Sequence, residues 1–103
     1  MLLSKLLDTR EVEAFATELA ADLTRRFPPT SERRTDAGAK NQLRIILEGL
    51  NARATRFQAE HRMGIYKKAK LGNVFRWKLA DAGYSKAFVE QATKTIVTQL
   101  ARK

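Results

Sequence analysis

Leu43, Leu47, Leu50, Ala54, Phe57 and His61 follow one another at steps of four, three, four, three and four. Side chains at those steps share one helical face, so the rhythm predicts a long helix with a stripe that must be buried. Ile46 widens the stripe on one side, as a helix facing a globular core requires. Residues 36–70 are therefore read as the central element, with shorter helices supplying the other side of its seam.

Those shorter helices carry their own start and stop residues. Asp8 is placed to cap a first helix, with Glu11 three residues on as in a capping box and Leu7 placed to staple onto Val12. Val12, Phe15, Ala16, Leu19 and Leu23 form its apolar stripe, and Glu13, Glu18 and Asp22 its exposed side. Phe27 ends it, because a residue before proline is pushed out of helical geometry and Pro28-Pro29 follow. Arg25 and Arg26 then sit at the negative end of the helix dipole. Ser31, Thr35 and Asp36 are the candidate caps of the central helix, which Gly38 weakens and in which Gly49 allows a close crossing.

The central helix needs an end before Ala82, since one rod of that length is out of scale for so short a chain. Gly72 with Asn73 is the preferred break, as a left-handed stop followed by a cap, and Gly64 is the second candidate. A break at Gly72 places Lys67, Lys68 and Lys70 over the negative end of the central helix. Phe75, Leu79 and Ala82 mark a short third helix, closed by Gly83. Ser85 caps a last helix with the two-column stripe Phe88, Val89, Ala92, Thr93, Ile96, Val97 and Leu100. The predicted fold is an all-α bundle of four helices, over residues 9–27, 36–70, 74–82 and 86–102, in one domain spanning residues 1–103. Its last two helices form a C-terminal helical hairpin.

With 44% hydrophobic residues the chain has enough apolar material for one core. It contains no cysteine, which removes disulfides, thiolate catalysis and cysteine-ligated zinc. The opening MLLSKLL is interrupted by Asp8, Glu11 and Glu13 before a signal-like apolar region forms, and no stretch is long enough for a membrane span. A soluble, cytoplasmic protein is the expectation. His61 is the only histidine and is read as a core or seam-edge residue, without a second ligand type or a nucleophile at useful spacing. Glu48 and Glu60 are read as surface ion-pair partners, Arg56 with Glu60 being one such pair. With no phosphate loop and no catalytic constellation, the chain reads as a non-enzyme that needs no cofactor and no metal.

Charge is the strongest functional signal: 20 Lys and Arg stand against 11 Asp and Glu, a net charge of +9. Residues 1–29 carry net −1, residues 30–70 net +6 and residues 71–103 net +4. Such an excess suits a polyanion, because each phosphate neutralised releases condensed counterions. A nucleic acid is accordingly the first expected partner, bound by a small DNA-associated accessory or regulatory protein. An acidic protein meeting the basic face is the alternative, with a homodimer through the central helix as one form of it. An anionic membrane surface fits less well, since the amphipathic helices carry acids.

Tyr66, Lys70, Asn73 and Trp77 are the most distinctive set. If helical phase persists across Gly72, their spacing of four, three and four aligns them nearly opposite Phe57, Leu71, Phe75 and Leu79. Arg62, Lys67, Arg76 and Lys78 surround them, and aromatics among cations can stack on bases. A break at Gly72 would reset the phase and bury Trp77 against the first helix, the commoner fate of a tryptophan. Arg53 and Arg56 join Arg33, Arg34, Lys40 and Arg44 in a second basic surface along the linker and central helix. The pair of helices around Gly83 also invites a helix-turn-helix reading, in which Lys86, Gln91 and Lys94 address DNA. Lys78 and Leu79 fit that motif poorly, since it wants an apolar and a small residue there.

Overall fold

The computed structural model describes residues 8–102, in which four helices and one 3-10 turn account for most of the chain. These are α1 (Arg10–Arg26), the turn Pro29–Arg33, α2 (Ala37–Glu60), α3 (Ile65–Ala82) and α4 (Lys86–Ala101). No strand occurs among the described residues, so the chain is the all-α bundle that its periodicity predicts.

The helix ends show which local signals act. Phe27 is the C-cap of α1, as Pro28 requires. Asp36 caps α2 by accepting the Ala39 N–H at 3.0 Å. A Cβ on Gly38 would stand 3.1 Å from the capping Asp36 Oδ2, so the glycine leaves room for the cap. Ser85 caps α4, its Oγ accepting the Phe88 N–H at 3.2 Å. Gly83 takes φ +108° and closes α3. Its N–H donates to the Ala80 carbonyl at 3.1 Å, and the Tyr84 N–H reaches the Leu79 carbonyl at 3.4 Å.

The start of α1 departs from the expected capping box. Thr9 is the N-cap, and its hydroxyl donates to Glu13 at 2.5 Å. Asp8 instead accepts the Arg10 backbone N–H at 3.0 Å, while Glu11 faces His61 at 3.3 Å. Leu7, the expected staple, lies outside the described residues.

The larger correction is the break between the second and third helices. It falls over residues 61–64, with Gly64 as an extended N-cap, and Gly72 stays inside α3. Two tertiary facts account for this. Met63 is buried, so the connection itself feeds the core. Gly72 is buried where α4 crosses, and a Cβ there would stand 2.8 Å from Val97 Cγ2. The interior glycine costs roughly 1 kcal/mol of helix propensity, and close packing of two helices offsets it. Gly49, expected at a crossing, has nothing within 4 Å of its would-be Cβ. Gly49→Ala should therefore stabilise the protein by about 1 kcal/mol in chemical denaturation. A destabilisation would show that α2 is approached there after all.

Residue pairs define the topology. Phe15 stacks on Phe57 at 4.1 Å between centroids and Asp22 meets Arg53 at 3.4 Å, so α1 and α2 run antiparallel. Arg76 meets Glu90 at 3.2 Å while Gly72 lies against Val97, so α3 and α4 run antiparallel along several turns. Gln99 donates to Thr55 at 3.0 Å, and Asn51 and Thr95 line one groove, which places α4 parallel to α2. The helices thus alternate in direction along the chain. The main packing is α1 on α3, α3 on α4 and α4 on α2; α2 and α3, though consecutive, stand at opposite corners.

Leu19, Leu23, Ile46, Leu50, Leu71, Phe75, Leu79, Ile96 and Leu100 fill the centre. In α2 the expected seam is only partly spent: Leu50 and Ala54 are buried, while Leu43, Leu47 and Phe57 are half-buried. His61 is the C-cap of α2 and sits half-buried at the edge of the seam, its ring stacked on Phe57 at 4.1 Å. Asp22, expected on the exposed side of α1, is buried and collects Arg25, Arg26 and Arg53. At one pole Tyr84 donates its hydroxyl to the Phe27 carbonyl, and Ser85 donates its N–H to Glu32 at 2.9 Å. These bonds tie the α1–α2 connection to the turn between α3 and α4. Burial raises the Tyr84 phenol above its ordinary value.

Two exposed carboxyls make the fold sensitive to acid. The Arg10 side chain, then its backbone N–H, holds Asp8 at about 2 against an ordinary 3.8. Asp36 is lowered by the Arg34 side chain and then by the Ala39 N–H. A depressed carboxyl contributes stability that is present above its unfolded value and lost as pH falls through its folded value. Thermal melts should therefore move to lower temperature as pH drops from 3.8 toward 2. The double variant Asp8→Asn, Asp36→Asn should flatten that slope. An unchanged slope would mean that neither carboxyl is held this way in solution.

Candidate nucleic-acid interface

α3 is one unbroken helix, so the phase condition set by Gly72 is met. At about 100° per residue, Tyr66, Lys70, Asn73 and Trp77 fall within an arc of about 60°. Phe75, at the centre of the buried side, lies opposite. Trp77 is 68% exposed and Tyr66 55%, so the indole is not part of the core. The expectation that buried Trp77 against the first helix fails because the break comes eight residues earlier than Gly72. With phase kept, Leu71, Phe75 and Leu79 already fill the side that faces the bundle.

The moved break also reverses the electrostatics of the lysines. Lys67, Lys68 and Lys70 stand in the first two turns of α3, not over the last turn of α2. That is the positive end of the helix dipole, where cations are unfavourable. Gly64 offers no side-chain cap, and no acid occupies the first turn. Along its length α3 carries Lys67, Lys68, Lys70, Arg76 and Lys78 against the single acid Asp81. Lys67 and Lys78 flank the aromatic ridge, Lys78 exposed and Lys67, like Lys70 on the ridge, half-buried, whereas Lys68 is half-buried on the inner side of the wheel.

Not every expected cation is available. Among the described residues, Arg56, Arg62, Lys67, Lys68, Lys70, Lys78, Lys86 and Lys94 take part in no ion pair, while Arg53 is held by Asp22 and Arg76 by Glu90. Arg76 also donates to Asn73 at 3.3 Å, which orients the amide on the ridge. Arg56 and Glu60 form no ion pair, contrary to the expectation from their spacing. Half of the second basic surface is compensated, with Arg34 on Asp36, Arg44 on Glu48 and Arg53 on Asp22. Arg53 and Arg56 also lie on α2, at the corner opposite α3, and do not join the ridge. Lys94 stands beside Arg76 in a hollow of about 400 Å³ between α3 and α4, and Lys86 opens α4.

α3 and α4 lie side by side along several turns, as the pairs Arg76–Glu90 and Gly72–Val97 show. A helix-turn-helix pair instead diverges from its turn at a steep angle, so the C-terminal unit is a plain antiparallel hairpin. Sequence reasoning missed one surface feature. A furrow of about 350 Å³ between α2 and α4 is lined by half-buried Leu43 and Leu47 with Lys40 and the paired Arg44 and Glu48. Its signal was the seam itself, which begins four residues before Leu47 and outruns the apolar column of α4.

Among the described residues no group of three or more His, Asp or Glu could hold a metal ion, and no helix is long and apolar enough to cross a membrane. Compared with protein-family models, with curated proteins and with solved structures, the chain matches none. What fold and surface define together is a small basic four-helix bundle presenting an aromatic and cationic ridge.

Proposed function

We propose that this protein is a non-enzymatic nucleic-acid-binding accessory protein of the cytoplasm that meets its partner through the outer face of α3. One observation carries the reading: Trp77, the only tryptophan, stands in solvent in line with Tyr66, among lysines that make no ion pair with any described residue. An exposed tryptophan on a folded domain gives up burial, and bases or a partner surface supply what it lacks. Uncompensated lysines at the positive end of a helix are likewise suited to phosphate oxygens.

Because Trp77 is unique, its fluorescence reports binding at the proposed site directly. Titration with DNA at low salt should quench or shift the emission, and the affinity should fall linearly with salt on a log–log plot. Binding to neither single-stranded nor duplex nucleic acid at low salt would end this reading.

The furrow between α2 and α4 favours a second reading, in which an acidic protein segment lays apolar side chains on Leu43 and Leu47 beside Lys40. The inner seam, Leu50 and Ala54, is buried within the chain, so a homodimer through α2 would use the same two leucines. Binding of this kind would leave Trp77 emission unchanged and would be lost in Leu47→Glu.

A further inference from the structure

Building on the nucleic-acid reading, we infer that the α3 ridge binds an unpaired strand rather than a duplex, with Tyr66 and Trp77 as two separate stacking platforms. Trp77 stands eleven positions after Tyr66, and at about 1.5 Å per residue the two rings stand roughly 16 Å apart along one helical line. At the ~3.4 Å spacing of stacked bases that distance is about five steps, so a strand of about six nucleotides touches both rings. Lys70 and Asn73 lie between the platforms, and Lys67 and Lys78 run along one flank, where a backbone following the ridge would pass.

The choice against duplex rests on which surfaces are free. In a duplex both faces of every internal base are already stacked, and a side chain reaches one only by unstacking a step. The major groove, about 12 Å wide, admits one helix, and its code is read by side chains able to hydrogen-bond base edges. α3 has α1 and α4 packed along it, and rings rather than donors stand at both ends of its outer row, with only Lys70 and Asn73 between them. An unpaired strand offers π-faces without that cost. Stacking on a ring is indifferent to the sugar, so deoxyribose and ribose strands should bind alike.

The test is a titration at one low salt concentration, read by Trp77 fluorescence and by anisotropy of labelled oligonucleotides. The probes are oligothymidylates of three, six and twelve nucleotides, a twelve-nucleotide oligouridylate and a duplex of sixteen base pairs. The six- and twelve-nucleotide strands should bind about tenfold or more tighter than the three-nucleotide strand and than the duplex. The ribose strand should fall within about threefold of its deoxyribose counterpart. Tyr66→Ala and Trp77→Ala, each checked for an unchanged helical spectrum, should each bring the twelve-nucleotide strand down toward the affinity of the three-nucleotide one. Duplex binding as tight as single-strand binding would overturn this inference and leave the nucleic-acid reading standing. So would a length series without a step, binding confined to one sugar, or a loss in only one of the two variants. Failure of every probe would instead remove the reading on which the inference rests.

Discussion

Phe75→Ala should destabilise the protein by about 3–5 kcal/mol, whereas Trp77→Ala, two residues along, should change stability by no more than about 0.5 kcal/mol. Phe75 is fully buried and packs with the core residues of the bundle, so its loss leaves a cavity. The indole of Trp77 is 68% exposed, so its removal exposes little that was covered. In the ordinary course a tryptophan is the costlier of the two to truncate. The inversion follows from the unbroken phase of α3 alone. Urea denaturation of the two variants measures both values. A loss above about 2 kcal/mol in Trp77→Ala would mean that the indole is packed in solution, and the ridge would lose its principal ring.

The triple variant Lys67→Gln, Lys70→Gln, Lys78→Gln should sharply reduce the salt dependence of single-strand binding. Each phosphate contact on a single strand contributes about 0.7 to the log–log slope, so loss of three should lower its magnitude by about 2. Phosphate contacts position a ligand without specifying sequence, so affinity for different base sequences should fall together. The fold should survive, since all three side chains lie outside the core. Thermal stability should change little, because relief of cations at the positive end of α3 is offset by loss of the attraction between Lys67 and Asp8. An unchanged slope with unchanged affinity would show that the lysines are solvated surface and nothing more. The triple variant and Trp77→Ala also separate the two halves of the proposed interaction, since one removes charge and the other a stacking surface.

Legibility differed sharply between elements. α4 and the end of α1 were readable almost to the residue, because local residues mark them: Gly83 and Ser85 for the one, Arg26 and Pro28 for the other. Those signals act through the backbone within a few residues, which is why no tertiary knowledge was needed. The alignment of Tyr66, Lys70, Asn73 and Trp77 was also legible as a conditional statement. What the sequence left open was the condition itself. Gly49, Gly64 and Gly72 carry similar local penalties, yet only Gly64 lies at a break. Burial of Met63 and the close approach of Val97 to Gly72 decide which, and both involve residues that local pattern does not connect.

The charge of the surface shows the same division. Composition alone fixes the net +9 and its concentration after residue 29, and with it a preference for anionic partners. Only the fold reveals that Arg25, Arg26 and Arg53 converge on buried Asp22, and that Arg76 is held by Glu90. Only the fold places α2 and α3 at opposite corners, which divides one basic stretch of sequence into two unlike surfaces. By itself the sequence determined the class, the helix faces, most of the caps and the total charge, because these depend on periodicity and on groups a few residues apart. The tertiary structure decided where α2 ends, whether Trp77 is core or surface, and which cations remain unneutralised. Each of those depends on contacts between segments far apart in the chain.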